Sequence, residues 1–213
     1  MSLIKKLKIL PTEIYEFKVP YELNRKALAL VKEQDWNKMY NREAKIWYGK
    51  SNKGYQTIHN KEEWYFLTSW LQKRVDEVYK AEKFDFCDQL KICLMWSNKS
   101  EIGQWHAAHT HPWSILSGIV YLEGSSGKTW FSRENDYIPD NTIRLGKEKD
   151  DKRHMMYKHP MKEASGLIFP SKLTHSVDTN ESPKPRYSLA FNTFPTGAVG
   201  EIESLAGLRL EVL

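Results

Sequence analysis

The apolar positions of this chain change their period once, near residue 89, and that change divides the fold into two parts. Before it the spacing is helical. Trp64, Leu67, Leu71, Val75 and Val78 recur at intervals of three and four, the broad stripe of a helix packed on a sheet. Asn60 stands where it can cap that helix, with Glu63 three residues on. After Pro20 the segment YELNRKALALVKEQDW, residues 21–36, has helical spacing too, and KILPTEIYEFKVP ahead of it alternates like a short entry strand.

From residue 89 the period falls to two. QLKICLMWSN, QWHAAHTH, LSGIVYLE, GKTWFSR, SGLIFPS and RYSLAFNTF are short runs rich in β-branched and aromatic residues, broken by Gly, Pro, Ser and Asn. Six such runs predict a sandwich or barrel rather than a parallel α/β sheet. A charged stretch over 133–163 interrupts them, and a connection that long is usually functional or mobile. Its length and position suggest a lid over a substrate.

With 213 residues, eight Trp, eleven Tyr and eight Phe, the chain has enough large apolar area for one domain with its own core. No run of about 18 apolar residues exists, so no membrane span is expected. The N-terminus, MSLIKKLKILP, is basic with a broken apolar stretch and reads as mature protein rather than a signal peptide. Cys87 and Cys93 form neither a disulfide framework nor a CxxC motif, which suits reduced thiols in a cytoplasmic protein. The formal charge of +5 comes from scattered lysines. The densest run, Lys147 to Arg153, alternates with Glu148, Asp150 and Asp151 and reads as a solvated loop, which argues against a nucleic-acid partner.

Candidate chemistry lies in the β-rich half. His109 and His111, at i and i+2 on an extended run that ends at Pro112, project from one face. A third imidazole, His175, brought in from a distant strand would complete one triangular face of a metal's coordination sphere and leave the rest open. Such a site suits non-haem iron and dioxygen, although neutral imidazoles also suit Zn(II) or Cu(II). His106 falls an odd number of residues from His109 and is expected to face away. His59, His154 and His159 sit in loop-like surroundings and are expected at the surface. Arg186 and Ser188 share a face, and a planar guanidinium with a hydroxyl beside it can hold the far carboxylate of a dicarboxylic keto acid. The alternative for Arg186 is a salt bridge to Asp178 or Glu181.

The order Gly103 to His111 (GQWHAAHTH), SGIVYL, Gly166 to Pro170 (GLIFP), His175, then Arg186 and Ser188 resembles the 2-oxoglutarate- and Fe(II)-dependent dioxygenase superfamily. It is most similar to the prolyl-hydroxylase-like branch and to small uncharacterised oxygenases of bacteria and phages. The likeness covers residues 90–195. It implies a mainly β double-stranded β-helix, a cupin-like jelly roll with supporting N-terminal helices. With the length and periodicity above, the chain reads as one oxygenase domain over 1–213: an entry strand and helices in 1–88, a jelly-roll core in 89–195 carrying the 133–163 insert, and a tail over 196–213. Further implications are iron on His109 and His175, 2-oxoglutarate on Arg186 and Ser188, and O2 as co-reactant. The reaction would hydroxylate an amino-acid, peptidyl or small-molecule C–H bond and release succinate and CO2.

The family usually has Asp or Glu where this chain has His111, so the metal set is either His109, His111 and His175 or the first and last of these with water. Asn98, Ser117 and Tyr121, polar groups on flanking strands, are candidates for the cosubstrate or substrate pocket. A cupin-type metal protein that does not use 2-oxoglutarate competes with this reading, since Gly103 followed by His109-x-His111 fits the opening of a cupin motif. Against it, residues 112–119 lack the expected glutamate. A non-catalytic jelly-roll binding module and a three-histidine zinc hydrolase compete as well.

Overall fold

The computed structural model describes residues 12–41, 46–52, 57–124, 126–132, 156–200 and 207–211. Elements follow in the order β1 (Tyr15–Lys18), α1 (Tyr21–Lys32), β2 (Trp36–Asn41), β3 (Ile46–Asn52), α2 (Tyr65–Glu82), β4 (Cys87–Ser100), β5 (His106–His109), β6 (Leu116–Glu123), β7 (Lys128–Ser132), β8 (Met156–Pro160), β9 (Ser165–Pro170), β10 (Thr174–Val177), β11 (Arg186–Val199) and β12 (Leu208–Leu210). The strands form two sheets. The larger has the order β1-β9-β6-β11-β4-β3-β2, with β12 added to β11, and the smaller is β5-β10-β7-β8.

The period of two in β4, β6 and β11 gives the larger sheet two different faces. Its outward residues Met95, Val120, Leu122, Leu189 and Phe191 are buried with Leu67, Leu71 and Val75 of α2 and with Ala27 and Val31 of α1. The inward residues Trp96, Asn98 and Ser100 of β4, Ser117, Ile119 and Tyr121 of β6, and Arg186, Ser188 and Ala190 of β11 line a cavity. The smaller sheet closes that cavity from the other side. The result is the expected mainly β jelly roll with supporting helices. Among the described residues, no helix is long and apolar enough to cross a membrane.

Close packing of the outer face depends on Gly118. A Cβ there would lie 2.0 Å from Cζ of Phe191, whose side chain is fully buried. Gly118→Ala should therefore cost about 1–3 kcal/mol by overpacking. Urea denaturation at neutral pH measures it, and an unchanged midpoint would show that Phe191 has room to move.

Several expectations fail locally. The α2 stripe is buried as expected, but Asn60 does not cap the helix. Asn60 and Trp64 instead close two short 3-10 turns, Ile58–Asn60 and Glu62–Trp64, and α2 starts at Tyr65 without a side-chain cap. The first helix stops at Lys32 rather than continuing to Trp36, whose ring packs on Tyr187 with centroids 6.1 Å apart as the chain enters β2. The charged 133–163 segment is not all connection, because its end forms β8 and pairs along β7. Residues 133–155, with the run Lys147 to Arg153 and most of the suggested lid, lie outside the described residues. The 196–213 tail is likewise no bare tail, since β11 runs on to Val199 and β12 pairs with it.

Candidate metal centre and anion pocket

Three histidines from two strands and one turn converge at one end of the cavity. β10 pairs with β5 so that His175 stands opposite His109, and His111 follows two residues after His109. Ring centroids are 4.3 Å apart for His109 and His175, 5.0 Å for His109 and His111, and 5.2 Å for His111 and His175. One ligand atom from each lies within 4.8 Å of the others. The separation in space that mattered, between residues 109 and 175, is thus small enough for one ion.

The tautomers of two rings follow from their surroundings. His109 Nδ1 lies 2.8 Å from the carbonyl of Ala107, and His175 Nδ1 lies 2.9 Å from that of Leu173. A carbonyl only accepts, so each Nδ1 donates its proton there, and Nε2 is the atom left to meet a cation. His111 packs edge-on against Trp96 at 5.8 Å, while its backbone N–H donates to Ser171 O at 2.9 Å. Phe169 and Phe131 flank His175 at 4.8 and 6.3 Å, an apolar wall behind the ring. Burial lowers the pKa of His175 to about 3, with His109 contributing, and that of His111 to about 4 for the same reasons. Both are neutral donors at neutral pH.

The cavity has a volume of about 340 Å³. Arg186 lies at its other end, buried, with Nη1 donating to Ser126 O at 2.9 Å and Nη2 to Asp178 O at 3.0 Å. Neither expected salt bridge forms. Asp178 offers only its carbonyl to Arg186, because its carboxylate accepts from Trp130 Nε1 and from the Lys128 N–H. Glu181 is not a partner either. Among the described residues no carboxylate lies within ion-pair distance of the guanidinium, and burial lowers its pKa to about 10. Gly127, at φ +93°, lets the chain pass, since a Cβ there would stand 2.9 Å from the Asp178 Cβ and 3.2 Å from Arg186 Nη1.

Ser188 and Asn98 sit opposite one another on β11 and β4, and both line the cavity. Ser117 lines it too, but its hydroxyl is engaged with Asn192 Oδ1 at 2.7 Å and Ser171 Oγ at 2.8 Å. Tyr121 shares a 2.7 Å hydrogen bond with Thr129, and burial raises its pKa.

The expectation for His106 is overturned. On β10 the residues facing β5 are His175 and Val177, two apart, but on β5 their partners are His109 and His106, three apart. The extra residue is a β-bulge, which resets the alternation and turns His106 to the same side as His109. His106 therefore lines the cavity. Burial, with Arg186 and His109 adding to it, lowers its pKa to about 4. Nothing in the HAAH run signals a bulge. His59 and His159, expected at the surface, are buried, and burial lowers both pKa values. His154 lies outside the described residues. Thr129 and the Ser126 and Asp178 carbonyls have no sequence signal of their own, because their placement depends on strand pairing.

These neutral imidazoles make stability depend on pH. In the unfolded chain each takes up a proton near pH 6.5, whereas folded His175 and His106 stay neutral down to about 3 and about 4. The unfolded state then binds more protons, so their contribution is complete above pH 6.5 and is lost as pH falls toward the folded values. The expected loss is at most about 1.4 kcal/mol per pH unit for each group. Urea midpoints of metal-free protein at pH 7, 6 and 5 should fall in that order. A flat series would mean that both rings are protonated in the fold.

Residues 94–192 match the sequence profile of a family described as "Putative 2OG-Fe(II) oxygenase". No protein of curated function matches the chain. Among solved structures the chain is similar to the epimerase SnoN in complex with Fe3+, alpha ketoglutarate and nogalamycin RO. The TM-score is 0.64 at 10% identity, covering 89% of this chain and 82% of that one. It is also similar to the carbocyclase SnoK from nogalamycin biosynthesis, with TM-score 0.65, 11% identity and coverage of 95% and 90%. A Pseudomonas putida prolyl-4-hydroxylase gives 0.58, 10% identity and coverage of 86% and 94%. At these identities the structural likeness is one of fold.

Proposed function

We propose that this chain, which carries a 2OG-Fe(II) oxygenase family match over residues 94–192, is a 2-oxoglutarate- and Fe(II)-dependent oxygenase that hydroxylates a C–H bond of an amino-acid, peptidyl or small-molecule substrate. The observation that supports this most is the pairing within one cavity of a three-imidazole cluster and a buried guanidinium without a carboxylate partner among the described residues.

The donor set fits the ion. Three imidazole nitrogens within 4.8 Å of one another suit a divalent transition metal. His109, His111 and His175 would hold Fe(II), and when bound the metal supplies dioxygen activation coupled to decarboxylation of 2-oxoglutarate to succinate and CO2.

The remaining work belongs to the chain. Arg186 lines the cavity and is fixed by two carbonyls, which leaves the other donors of its guanidinium to meet an anion, and Ser188 adds a hydroxyl on the same face. Together they would anchor the far carboxylate of 2-oxoglutarate. Asn98 faces Ser188 across the strand pair and can add an amide. Tyr121 and Ser117 shape the wall between the two ends. Phe131 and Phe169 keep water from the back of His175 and hold its ring in place. With His111 in place of an acid, the chain places no negative charge among the metal ligands, so charge on the cation would be balanced by the anionic cosubstrate.

SnoN is known in complex with nogalamycin RO, and the Pseudomonas protein is a prolyl-4-hydroxylase, so both small-molecule and prolyl substrates stay within this reading. Anaerobic addition of Fe(II) and then 2-oxoglutarate should produce a weak visible charge-transfer band, and admission of O2 should convert 2-oxoglutarate to succinate. Absence of both would overturn the reading. Activity that persists without O2 and follows zinc would favour a hydrolase.

A further inference from the structure

The cavity is built in three layers along β10. His175 stands in the first, opposite His109 on β5 and Phe131 on β7. Val177 stands in the second, opposite His106 and Thr129. Asp178 follows, its carbonyl held by Arg186. From His175 to Asp178 is three residues, roughly 10 Å at strand rise. A diacid held at one end by the histidine cluster and at the other by Arg186 has to cross the middle layer, where His106, Val177, Thr129 and Tyr121 enclose the passage.

We propose that His106 is a positioning residue that packs along the 2-oxo diacid in this middle layer and sets the length of diacid the cavity accepts. The inference rests on the functional reading above and goes beyond it to a residue with no role there. A longer diacid anchored at both ends must bow sideways. The imidazole, turned inward by the β5 bulge, takes up that sideways space. His106 is not a member of the cluster whose ligand atoms lie within 4.8 Å of one another, so its action falls on the cosubstrate rather than on the ion.

The test uses the full chain under anaerobic conditions. Fe(II) affinity is measured by calorimetry without diacid, and the Fe(II)-loaded protein is then titrated with 2-oxoglutarate and with 2-oxoadipate, one methylene longer. For wild type the longer acid should bind about tenfold or more weakly, the usual discrimination for one methylene in a closed pocket. In His106→Ala the ratio should shrink to within about threefold, while His106→Leu, which keeps the bulk, should retain most of it. Fe(II) affinity should stay within about twofold in both variants, because neither loses a metal ligand.

An unchanged ratio in His106→Ala overturns the proposal, as does equal loss of discrimination in His106→Leu. A tenfold fall in Fe(II) affinity would overturn it in favour of a role on the metal. If wild type binds Fe(II) but neither diacid, the functional reading fails and this inference with it. If wild type binds 2-oxoglutarate and only the variants behave otherwise than stated, this inference alone fails.

Discussion

His175→Ala should bind Fe(II) at least about a hundredfold more weakly than wild type, since even partners that only orient a metal ligand are worth 10- to 100-fold. The ring is buried, wedged between Phe131 and Phe169, and its Nδ1–H is committed to Leu173 O. That leaves Nε2 as its one free donor, aimed at His109 and His111. Removal takes away a donor that arrives already oriented and leaves two imidazoles from one short segment. Anaerobic calorimetry with Fe(II) reads the effect, and a thermal melt of the metal-free variant checks that it folds. Substitution of His111 by Asp gives the useful contrast, since it should keep the metal and place one negative charge among its ligands. Wild-type Fe(II) affinity in folded His175→Ala would mean that the three imidazoles do not form a metal centre.

Arg186→Lys should weaken 2-oxoglutarate binding by about a hundredfold or more while leaving Fe(II) affinity unchanged. Hydrogen bonds to a charged group are worth about 1.5–3 kcal/mol each, and each 1.4 kcal/mol is a factor of ten. Lysine keeps the charge but not the fork. One ammonium cannot satisfy the carbonyls of Ser126 and Asp178 and still present two parallel donors to a carboxylate. Arg186→Ala should be worse, because it also leaves both carbonyls without their donor. Titration of Fe(II)-loaded protein with 2-oxoglutarate gives the affinity, and Fe(II) calorimetry gives the control. The opposite pattern, lost metal with intact cosubstrate affinity, would mean that Arg186 supports the fold around the histidines and does not receive the diacid.

What could be read from the chain by itself was local and periodic. The strands around residues 89–98, 116–123 and 186–194 and the stripe from Trp64 to Val78 follow from which side chains must leave water, and that information is carried by neighbouring residues. The pairs His109 with His111 and Arg186 with Ser188 were legible for the same reason, since a period of two is enough to put each pair on one face. Placing His175 with them needed the order of motifs along the chain as well.

The rest depended on residues far apart in sequence. β8 forms because β7 offers it an edge, and β2 forms against β3 and β3 against β4, although none of these segments has an alternation strong enough to be read alone. The burial of His59 and His159 is not legible in the sequence, because burial is a property of what packs over a residue. Arg186 forms no salt bridge to Asp178 because that carboxylate is engaged by Trp130 and the Lys128 N–H, partners 48 and 50 residues away.

His106 shows the division most sharply. By counting residues it points outward; by pairing it points inward, because between the paired positions two residues of β5, Ala107 and Ala108, stand against one of β10, Ser176. The chain's own pattern determined which residues could be strand or helix and which carried metal- or anion-binding chemistry. Only the assembled sheets decided which of them share a cavity, since strand register is set by the hydrogen bonds and packing of the partner strand and cannot be counted along a single segment.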